Sequence, residues 1–231
     1  MVFVALHTLF WAIPIILLSY LDPYAQRAWR LVRFWVWGSL WFCRVKVRVR
    51  GREHVDPHRV YLFMANHQSL FDIFALAAAL PDFQLRWMAK RELLRVPVFG
   101  WVLRATKQIL VDRKNRTQAI TTLRQVRRLL DAGISVLFFP EGTRSPDGHL
   151  LPFKPGGFAV AIEKGVPVVP VTIKGSREVW PPRDWRIRGG EIEVVLSPPL
   201  SMGEYASKKE GREELMDEVY QAISAHLIGE G

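Results

Sequence analysis

Cysteine is nearly absent from the sequence, in which Cys43 is the single cysteine among 231 residues. One cysteine excludes an internal disulfide, a zinc ribbon and a CxxC redox site, so a reducing compartment is the simpler assumption. The GxSxG elbow of serine hydrolases, the GxxxxGK[ST] loop and the dinucleotide-binding GxGxxG are also missing. Because histidines and carboxylates do not cluster with ligand spacing, we expect no metal site.

Charged side chains are absent from residues 1–21, which contain no Lys, Arg, Asp or Glu. As a helix this stretch would be about 30 Å long, which is roughly the thickness of a bilayer core. A cleaved signal peptide has positive charge before its apolar region. Here Arg27, Arg30 and Arg33 follow that region and stand among tryptophans and phenylalanines, a composition typical of membrane interfaces.

The same segment is predicted to form a helical hairpin over residues 1–42, because Pro14 and the Asp22-Pro23 pair interrupt a helix. Hydropathy favours neither a true span by residues 1–21 nor two helices within one leaflet. An ordinary buried helix pair is the third alternative. The chain has nine tryptophans, more than packing needs, which favours a membrane contact.

The net charge of +10 indicates an anionic partner. Nucleic acid, acidic lipid headgroups and a phosphorylated substrate all fit this charge, and charge alone does not choose among them. With 49% apolar residues, the chain suits one main globular domain, which we expect over residues 43–231.

Short apolar runs alternate with helical patterns after residue 43. Strands are predicted at residues 45–50, 60–65, 85–89, 108–112, 134–139, 168–173 and 192–197. Helices are predicted at residues 69–80, 116–130 and 212–228. This alternation predicts an α/β fold with a mixed, largely parallel sheet flanked by helices, and with the active site in loops at strand ends.

The heptapeptide NHQSLFD, residues 66–72, lies between a predicted buried strand and a predicted helix. If Ser69 is the N-cap, Asp72 is the third helical residue and its carboxylate reaches back over the first turn. Asp72 would then fix one tautomer of His67 and leave the other ring nitrogen as a general base. The alternative is that Asp72 is a helix-capping carboxylate without a catalytic role.

A second candidate motif, FFPEGTRSPDG at residues 138–148, leaves a predicted strand through a glycine-containing turn. Its exposed backbone N–H groups and the planar guanidinium of Arg144 suit phosphate oxygens, and Glu141 would orient that arginine or bind a substrate hydroxyl. Arg113, at the end of another strand, would join Arg144 around one phosphate. Ordinary turn chemistry and surface solvation are the alternatives.

Four sequence blocks follow one another with characteristic spacing. They are Asn66-His67-x4-Asp72; Lys90, Pro97 and Gly100 with ILVDR at residues 109–113; FPEGTRS at residues 139–145; and VPVVP at residues 166–170. Together they resemble the blocks of the glycerolipid acyltransferases, most closely those that acylate 1-acyl-glycerol-3-phosphate. The resemblance covers nearly the whole chain.

The resemblance implies transfer of a fatty acyl group from an acyl thioester to the sn-2 hydroxyl of lysophosphatidic acid. His67 would remove the hydroxyl proton and Asp72 would hold His67. The phosphate would be bound by Arg113, Glu141, Gly142, Thr143 and Arg144, with Asn66, Ser69 and Lys90 in supporting positions. The resemblance implies no bound cofactor, with acyl-CoA or acyl carrier protein (ACP) as donor.

The resemblance also implies a location at the cytoplasmic face of a bacterial inner membrane, with the phospholipid bilayer as partner and no nucleic acid. A relative that acylates glycerol 3-phosphate or another lysophospholipid is the alternative within the enzyme class. The alternative from another class is a basic, membrane-tethered nucleic-acid-binding protein. It would bind nucleic acid in a salt-sensitive manner unaffected by His67→Ala.

Overall fold

The computed structural model describes residues 2–112, 116–182, 184 and 186–228. The helices are α1 (Val2–Ser19), α2 (Gln26–Phe42), α3 (Phe71–Ala79), α4 (Phe99–Ala105), α5 (Arg116–Asp131), α6 (Gly156–Lys164), α7 (Ser176–Val179), α8 (Gly203–Ala206) and α9 (Gly211–Ile228). The strands are β1 (Val45–Arg50), β2 (Leu62–Ala65), β3 (Leu85–Lys90), β4 (Ile109–Val111), β5 (Ser135–Phe138), β6 (Val168–Lys174) and β7 (Gly190–Leu196). Short 3-10 helices cover Arg52–His54 and Arg91–Arg95.

The strands form a seven-stranded sheet in the order β1-β7-β6-β2-β5-β3-β4. Neighbouring strands are parallel except for β6 and β7, which are antiparallel, so the predicted mixed and largely parallel sheet is confirmed. Strand β2 lies inside the sheet, where Leu62 is in register with Val136 on one side and Val168 on the other. The loops that follow β2 and β5 therefore leave adjacent parallel strands at the same edge of the sheet.

Side chains of β2 alternate between two apolar layers, as a strand buried on both faces requires. Phe63 and Ala65 belong to the cluster that also contains buried residues of α1, α2 and α3. Leu62 and Met64 belong to the cluster formed with α5, α6 and α9. The sheet is thus covered on one face by α1, α2, α3 and α4 and on the other by α5, α6 and α9.

The N-terminal hairpin is present and packs on the first of these layers. Its second helix begins after a turn in which both oxygens of Asp22 accept backbone N–H groups, those of Gln26 at 2.7 Å and Arg27 at 3.2 Å. Pro14 does not interrupt the first helix, which continues from Val2 to Ser19. Proline is tolerated best in the first turn of a helix, yet α1 continues beyond Pro14 to Ser19.

The hairpin and the sheet share one core. The indole Nε1 of Trp29 donates to the carbonyl oxygen of Phe83 at 2.7 Å. Arg86, fully buried on β3, donates to the carbonyl oxygen of Tyr24 at 2.5 Å, and its guanidinium lies 5.1 Å from the centre of the Trp29 ring. Burial lowers the pKa of Arg86 to about 10. These contacts fix the hairpin against β3.

The outer face of α1 is apolar and exposed to solvent. Leu6, Phe10, Ile13 and Leu17 recur at helical spacing, and each exposes more than half of its surface, from 58% for Leu6 to 67% for Phe10. Large apolar side chains of this kind usually mark an interaction surface when they are contiguous. Within the described residues, no helix combines the length and the apolarity needed to cross a membrane.

The predicted strands are all present, and most of their ends differ from the prediction by one or two residues. The predicted helix at residues 212–228 is confirmed as α9, and the helix predicted to begin at residue 69 begins at Phe71. Helices α4, α6, α7 and α8 lie outside the predicted set. Helix α6 begins with two glycines, Gly156 and Gly157, which are weak helix formers.

Candidate active site

His67 and Asp72 form a buried hydrogen-bonded pair at the end of β2. The ring Nδ1 of His67 lies 2.7 Å from Oδ2 of Asp72. The same oxygen accepts the backbone N–H groups of Gln68 at 2.7 Å and Ser69 at 2.8 Å. Asp72 is fully buried in the first turn of α3, and its carboxylate folds back over the loop that carries the histidine. The contact expected from the five-residue spacing is therefore present.

The start of α3 differs from the prediction, since Leu70 and not Ser69 occupies the N-cap position. Asp72 is consequently the second helical residue instead of the third. Ser69 still acts at this helix end, because its Oγ accepts the N–H of Phe71 at 3.2 Å and donates to the carbonyl oxygen of Trp180 at 2.8 Å. The hydroxyl thus ties the loop to the segment after α7.

The geometry of the pair determines which nitrogen of His67 is available. A carboxylate oxygen accepts hydrogen bonds and donates none, so the Nδ1 that faces Asp72 carries the hydrogen. In the neutral ring the lone pair is then on Nε2, which makes no hydrogen bond with any residue that the structure describes. An imidazole in this state can take a proton from a substrate hydroxyl, and Asp72 then stabilises the positive charge that forms.

The FPEGTRS segment makes three contacts with His67. The Phe139 ring stacks on the imidazole, with centroids 4.0 Å apart and planes inclined by 19°. The backbone N–H of His67 donates to Oε1 of Glu141 at 2.6 Å, and the N–H of Ser145 donates to the carbonyl oxygen of His67 at 2.8 Å. Since this segment follows β5, next to β2 in the sheet, the fold brings the first and third sequence blocks together.

Glu141 is directed at backbone amides, whereas the sequence predicted contact with Arg144 or with substrate. Its second oxygen, Oε2, accepts the N–H of Leu151 at 3.0 Å, and its side chain is buried. Burial, together with a smaller effect of the nearby Asp72, raises the pKa of Glu141 to about 7, although the two amide hydrogen bonds oppose the increase. Glu141 therefore positions the loop around His67.

The remaining residues of the predicted phosphate site form the turn beyond Glu141. Gly142 has φ +72°, in the left-handed region that favours glycine, and its N–H donates to the carbonyl oxygen of Phe139 at 2.9 Å. Thr143 is exposed, and Arg144 is half-buried without a hydrogen bond or ion pair to any described residue. Its guanidinium is thus free to bind an anion. Arg113, the other predicted phosphate ligand, lies outside the described residues.

The predicted supporting residues occupy different places. The side chain of Asn66 donates to the carbonyl oxygen of Ile173 at 2.9 Å and accepts the Ile173 N–H at 2.7 Å, which extends the pairing of β2 with β6 by one residue. Lys90 ends β3, is exposed and forms an ion pair with Glu92 at 3.4 Å. The VPVVP block supplies the start of β6, where Val168 is buried against β2.

Sequence reasoning missed two residues beside this site. Phe139 was noted as part of the third block, but its stacking on His67 depends on the adjacency of β2 and β5. Lys154 packs over Gly142, and Lys90 and Lys154 line one apolar cavity together with Phe139. The FKPGG sequence that contains Lys154 gave no separate signal. Among the described residues, no group of His, Cys, Asp or Glu side chains is placed to hold a metal ion.

Comparison with known proteins gives consistent matches. The family model described as Acyltransferase matches residues 46–174. A 1-acyl-sn-glycerol-3-phosphate acyltransferase of Chlamydomonas reinhardtii is 33% identical over 213 residues, which are 89% of this chain and 60% of that protein. A protein of the same name from Pseudomonas aeruginosa is 36% identical over 183 residues, 77% of this chain and 70% of that protein.

The fold is also similar to a solved structure. The crystal structure of the 1-acyl-sn-glycerophosphate (LPA) acyltransferase PlsC from Thermotoga maritima superimposes with a TM-score of 0.77 at 27% sequence identity. The match covers 98% of this chain and 94% of that one. The described chain therefore corresponds to nearly all of the solved protein, although it spans 60% of the length of the Chlamydomonas relative.

Proposed function

The chain belongs to the acyltransferase family, and from this premise we propose that it transfers a fatty acyl group to the sn-2 hydroxyl of lysophosphatidic acid, giving phosphatidic acid. The donor is an acyl thioester of coenzyme A or of ACP. The observation that carries the proposal is the buried His67–Asp72 pair, enclosed by the loop that presents Arg144. The names of the similar proteins support the choice of acceptor.

In the proposed reaction, the acceptor hydroxyl attacks the thioester carbonyl while Nε2 of His67 takes the hydroxyl proton. Asp72 keeps the ring oriented and stabilises the imidazolium during this step. When the tetrahedral intermediate collapses, the C–S bond breaks and the thiolate receives the proton from His67. The step needs no covalent enzyme intermediate, and both residues return to their starting state.

The acceptor phosphate is proposed to bind at the turn that follows Glu141. Arg144 supplies a planar pair of donors and the turn supplies the backbone N–H of Thr143, because the N–H of Gly142 already donates to Phe139, with Arg113 as a further cation. Because Ser145 in the same loop is hydrogen-bonded to His67, phosphate binding fixes the distance between the acceptor and the base. Such positioning accounts for much of the rate enhancement in reactions between two substrates.

We also propose that the hairpin lies in the interface of an anionic membrane, at the cytoplasmic face of a bacterial inner membrane. The exposed apolar face of α1 would be buried among acyl chains, and exposed Arg27 and Arg30 would meet lipid phosphates. The guanidinium of Arg33 packs over the Phe34 ring at 4.9 Å, which suits the same boundary. An acceptor that resides in the bilayer then reaches the active site without leaving the bilayer.

The test uses purified protein with lysophosphatidic acid and either acyl-CoA or acyl-ACP. We expect His67→Ala to lower kcat by about 100- to 10,000-fold while acceptor binding is retained. His58, an exposed histidine on the same chain, provides the matched control, and His58→Ala should not change turnover. Unaltered turnover in His67→Ala would overturn the mechanism, and preference for glycerol 3-phosphate would assign another acceptor.

A further inference from the structure

A cavity of about 290 Å³ lies on the face of the sheet opposite the hairpin, between α5, α6 and the ends of β2, β3 and β5. Apolar side chains form most of its wall, among them Met64, Leu123 and Phe158. Lys90 and Lys154 contribute cations to the same lining. The cavity adjoins the active-site loop, because Phe139 and Gly142 also line it.

The segment that carries Lys154 is fastened to the active-site loop by two hydrogen bonds. The N–H of Leu151 donates to Oε2 of Glu141 at 3.0 Å, and the N–H of Lys154 donates to the carbonyl oxygen of Pro140 at 2.9 Å. The other oxygen of Glu141 binds the backbone of His67. The backbone of Lys154 is therefore held in a fixed relation to the proposed base.

The side chain of Lys154 lies directly across Gly142. A Cβ atom built on Gly142 would be 2.6 Å from Nζ and 2.8 Å from Cε of Lys154, closer than nonbonded atoms approach. The missing side chain at position 142 thus makes room for the lysine. As a result the ammonium group lies over the turn that, with the Thr143 N–H and Arg144, forms the proposed phosphate site.

The charge of Lys154 is not neutralised within the described part of the chain, where it forms no ion pair. Lys90, the other lysine that lines this cavity, forms an ion pair with Glu92 at 3.4 Å. Lys154 is exposed to solvent at the edge of this cavity, so its ammonium group is accessible to an anion. The site is therefore suited to a phosphate group.

We propose that Lys154 is a further binding residue for the phosphate of the acceptor, acting with Arg144 across the Gly142 turn. This inference rests on the proposed function and extends it to a residue outside the four sequence blocks. The ammonium contacts a phosphate oxygen that the planar guanidinium leaves free. Lys154 takes no part in proton transfer, so its contribution is to acceptor affinity.

The experiment compares Lys154→Ala and Lys154→Arg with the wild type, using lysophosphatidic acid and phosphate-free 1-acylglycerol as acceptors. We expect Lys154→Ala to raise KM for lysophosphatidic acid about 10- to 100-fold, the usual effect of losing a charged hydrogen bond. Its kcat and its activity on 1-acylglycerol should be unchanged. Lys154→Arg should restore part of the affinity because it restores the charge.

Lys209, an exposed lysine between α8 and α9, provides the control, and Lys209→Ala should match the wild type. Thermal unfolding of each variant checks that the fold is retained. An unchanged acceptor KM in Lys154→Ala, or a rise confined to the KM of the acyl donor, overturns the proposal. The second result would assign the lysine to the donor phosphates.

A binding measurement separates failure of this inference from failure of the proposed function. If the wild type does not acylate lysophosphatidic acid, titration of wild type and Lys154→Ala with lysophosphatidic acid still reports on the lysine. Weaker binding by Lys154→Ala supports its role as a phosphate ligand, and equal binding contradicts it. Inorganic phosphate as a competitor shows whether the headgroup alone is recognised.

Discussion

The carboxylate of Glu141 accepts a hydrogen bond from the backbone N–H of His67 at 2.6 Å. The two residues come from the loops after β5 and β2, which are parallel neighbours in the sheet. Glu141 therefore joins two loops at one edge of the sheet and holds the peptide of the proposed base. We expect its role to be positional, because each of its oxygens accepts a backbone N–H and its side chain is buried.

Glu141→Gln should lower kcat and leave the acceptor KM nearly unchanged. A glutamine amide has one acceptor oxygen, so either His67 N–H or Leu151 N–H loses its partner, at a cost of about 1 to 3 kcal/mol. Steady-state kinetics with varied acceptor separates the two parameters. Glu210→Gln, at an exposed position, is the control. If KM rises while kcat stays constant, Glu141 binds the acceptor directly.

The raised pKa of Glu141 predicts that the stability of the protein depends on pH. Burial raises the pKa of Glu141 to about 7 from an ordinary value of 4.5, so the folded state favours the protonated side chain. Its stabilising contribution is complete below about pH 4.5 and is lost as pH rises through 7, amounting to at most about 3 kcal/mol.

Denaturant unfolding of wild type and Glu141→Gln between pH 4.5 and 8 tests this dependence. Glutamine does not titrate, and the other ionisable groups are the same in both proteins. The free energy of unfolding of the wild type should fall relative to that of the variant as pH increases. A difference that stays constant over this interval would show that Glu141 titrates at its ordinary pKa.

Asp72→Asn tests the charge of the pair separately from its geometry. Oδ1 of Asp72 has no hydrogen-bond partner among the described residues, whereas Oδ2 accepts three N–H groups. An asparagine can place its oxygen at Oδ2 and its amide nitrogen at the unpartnered position, so the orientation of His67 is kept. We expect kcat to fall about 100- to 10,000-fold, because the imidazolium loses its counter-charge.

Two further variants complete that measurement. Asp72→Ala removes orientation as well as charge and should be at least as slow as Asp72→Asn. Asp217→Asn, at an exposed position on α9, should leave turnover unchanged. Wild-type turnover by Asp72→Asn would mean that the carboxylate serves only as a structural cap of α3.

The sequence was sufficient to predict those features that depend on local chemistry. The strands are buried apolar runs, and their periodicity differs from that of the helices. The His67–Asp72 contact spans five residues and follows from the way a strand runs into a helix. Helix α6 was not predicted because Gly156 and Gly157 are poor helix formers. Glycine is required at position 157 because of a tertiary contact. A Cβ on Gly157 would lie 2.9 Å from Met64 and Phe138 side-chain atoms.

Contacts between distant segments could not be predicted from the sequence. Glu141 and His67 are 74 residues apart, and their contact requires the adjacency of β2 and β5. The order of parallel strands is a tertiary property that periodicity does not encode. The same applies to Lys154, whose position over Gly142 depends on the path of the loop between β5 and α6.

Ile13→Glu should weaken membrane binding without destabilising the fold. Ile13 lies on the apolar outer face of α1 and is 59% exposed, so the substitution removes little packing. A charge at that position opposes insertion among acyl chains, and the lost apolar contact alone corresponds to about a 10-fold change in affinity. Co-sedimentation with vesicles that contain phosphatidylglycerol measures the effect.

Ile120 provides a matched control for this prediction, since it is an isoleucine on α5 that is 60% exposed. Ile120→Glu should bind vesicles as the wild type does. Both variants should acylate acceptor dispersed in detergent at the wild-type rate. Equal loss of vesicle binding in the two variants would show a general effect of negative charge, and an unaffected Ile13→Glu would exclude the outer face of α1 from the membrane contact.

Gly142→Ala should raise the acceptor KM by displacing Lys154. The backbone at Gly142 has φ +72°, and the added methyl group would lie 2.6 Å from Nζ of Lys154. Gly133→Ala separates the effect of the left-handed backbone from that of the contact with Lys154. Gly133 has φ +76°, and no atom lies within 4 Å of a Cβ built there. Gly133→Ala and Gly142→Ala should lose similar stability, about 1 kcal/mol each from the left-handed backbone. Only Gly142→Ala should lose affinity for lysophosphatidic acid, and an equal KM in both variants would show that the position of Lys154 does not affect acceptor binding.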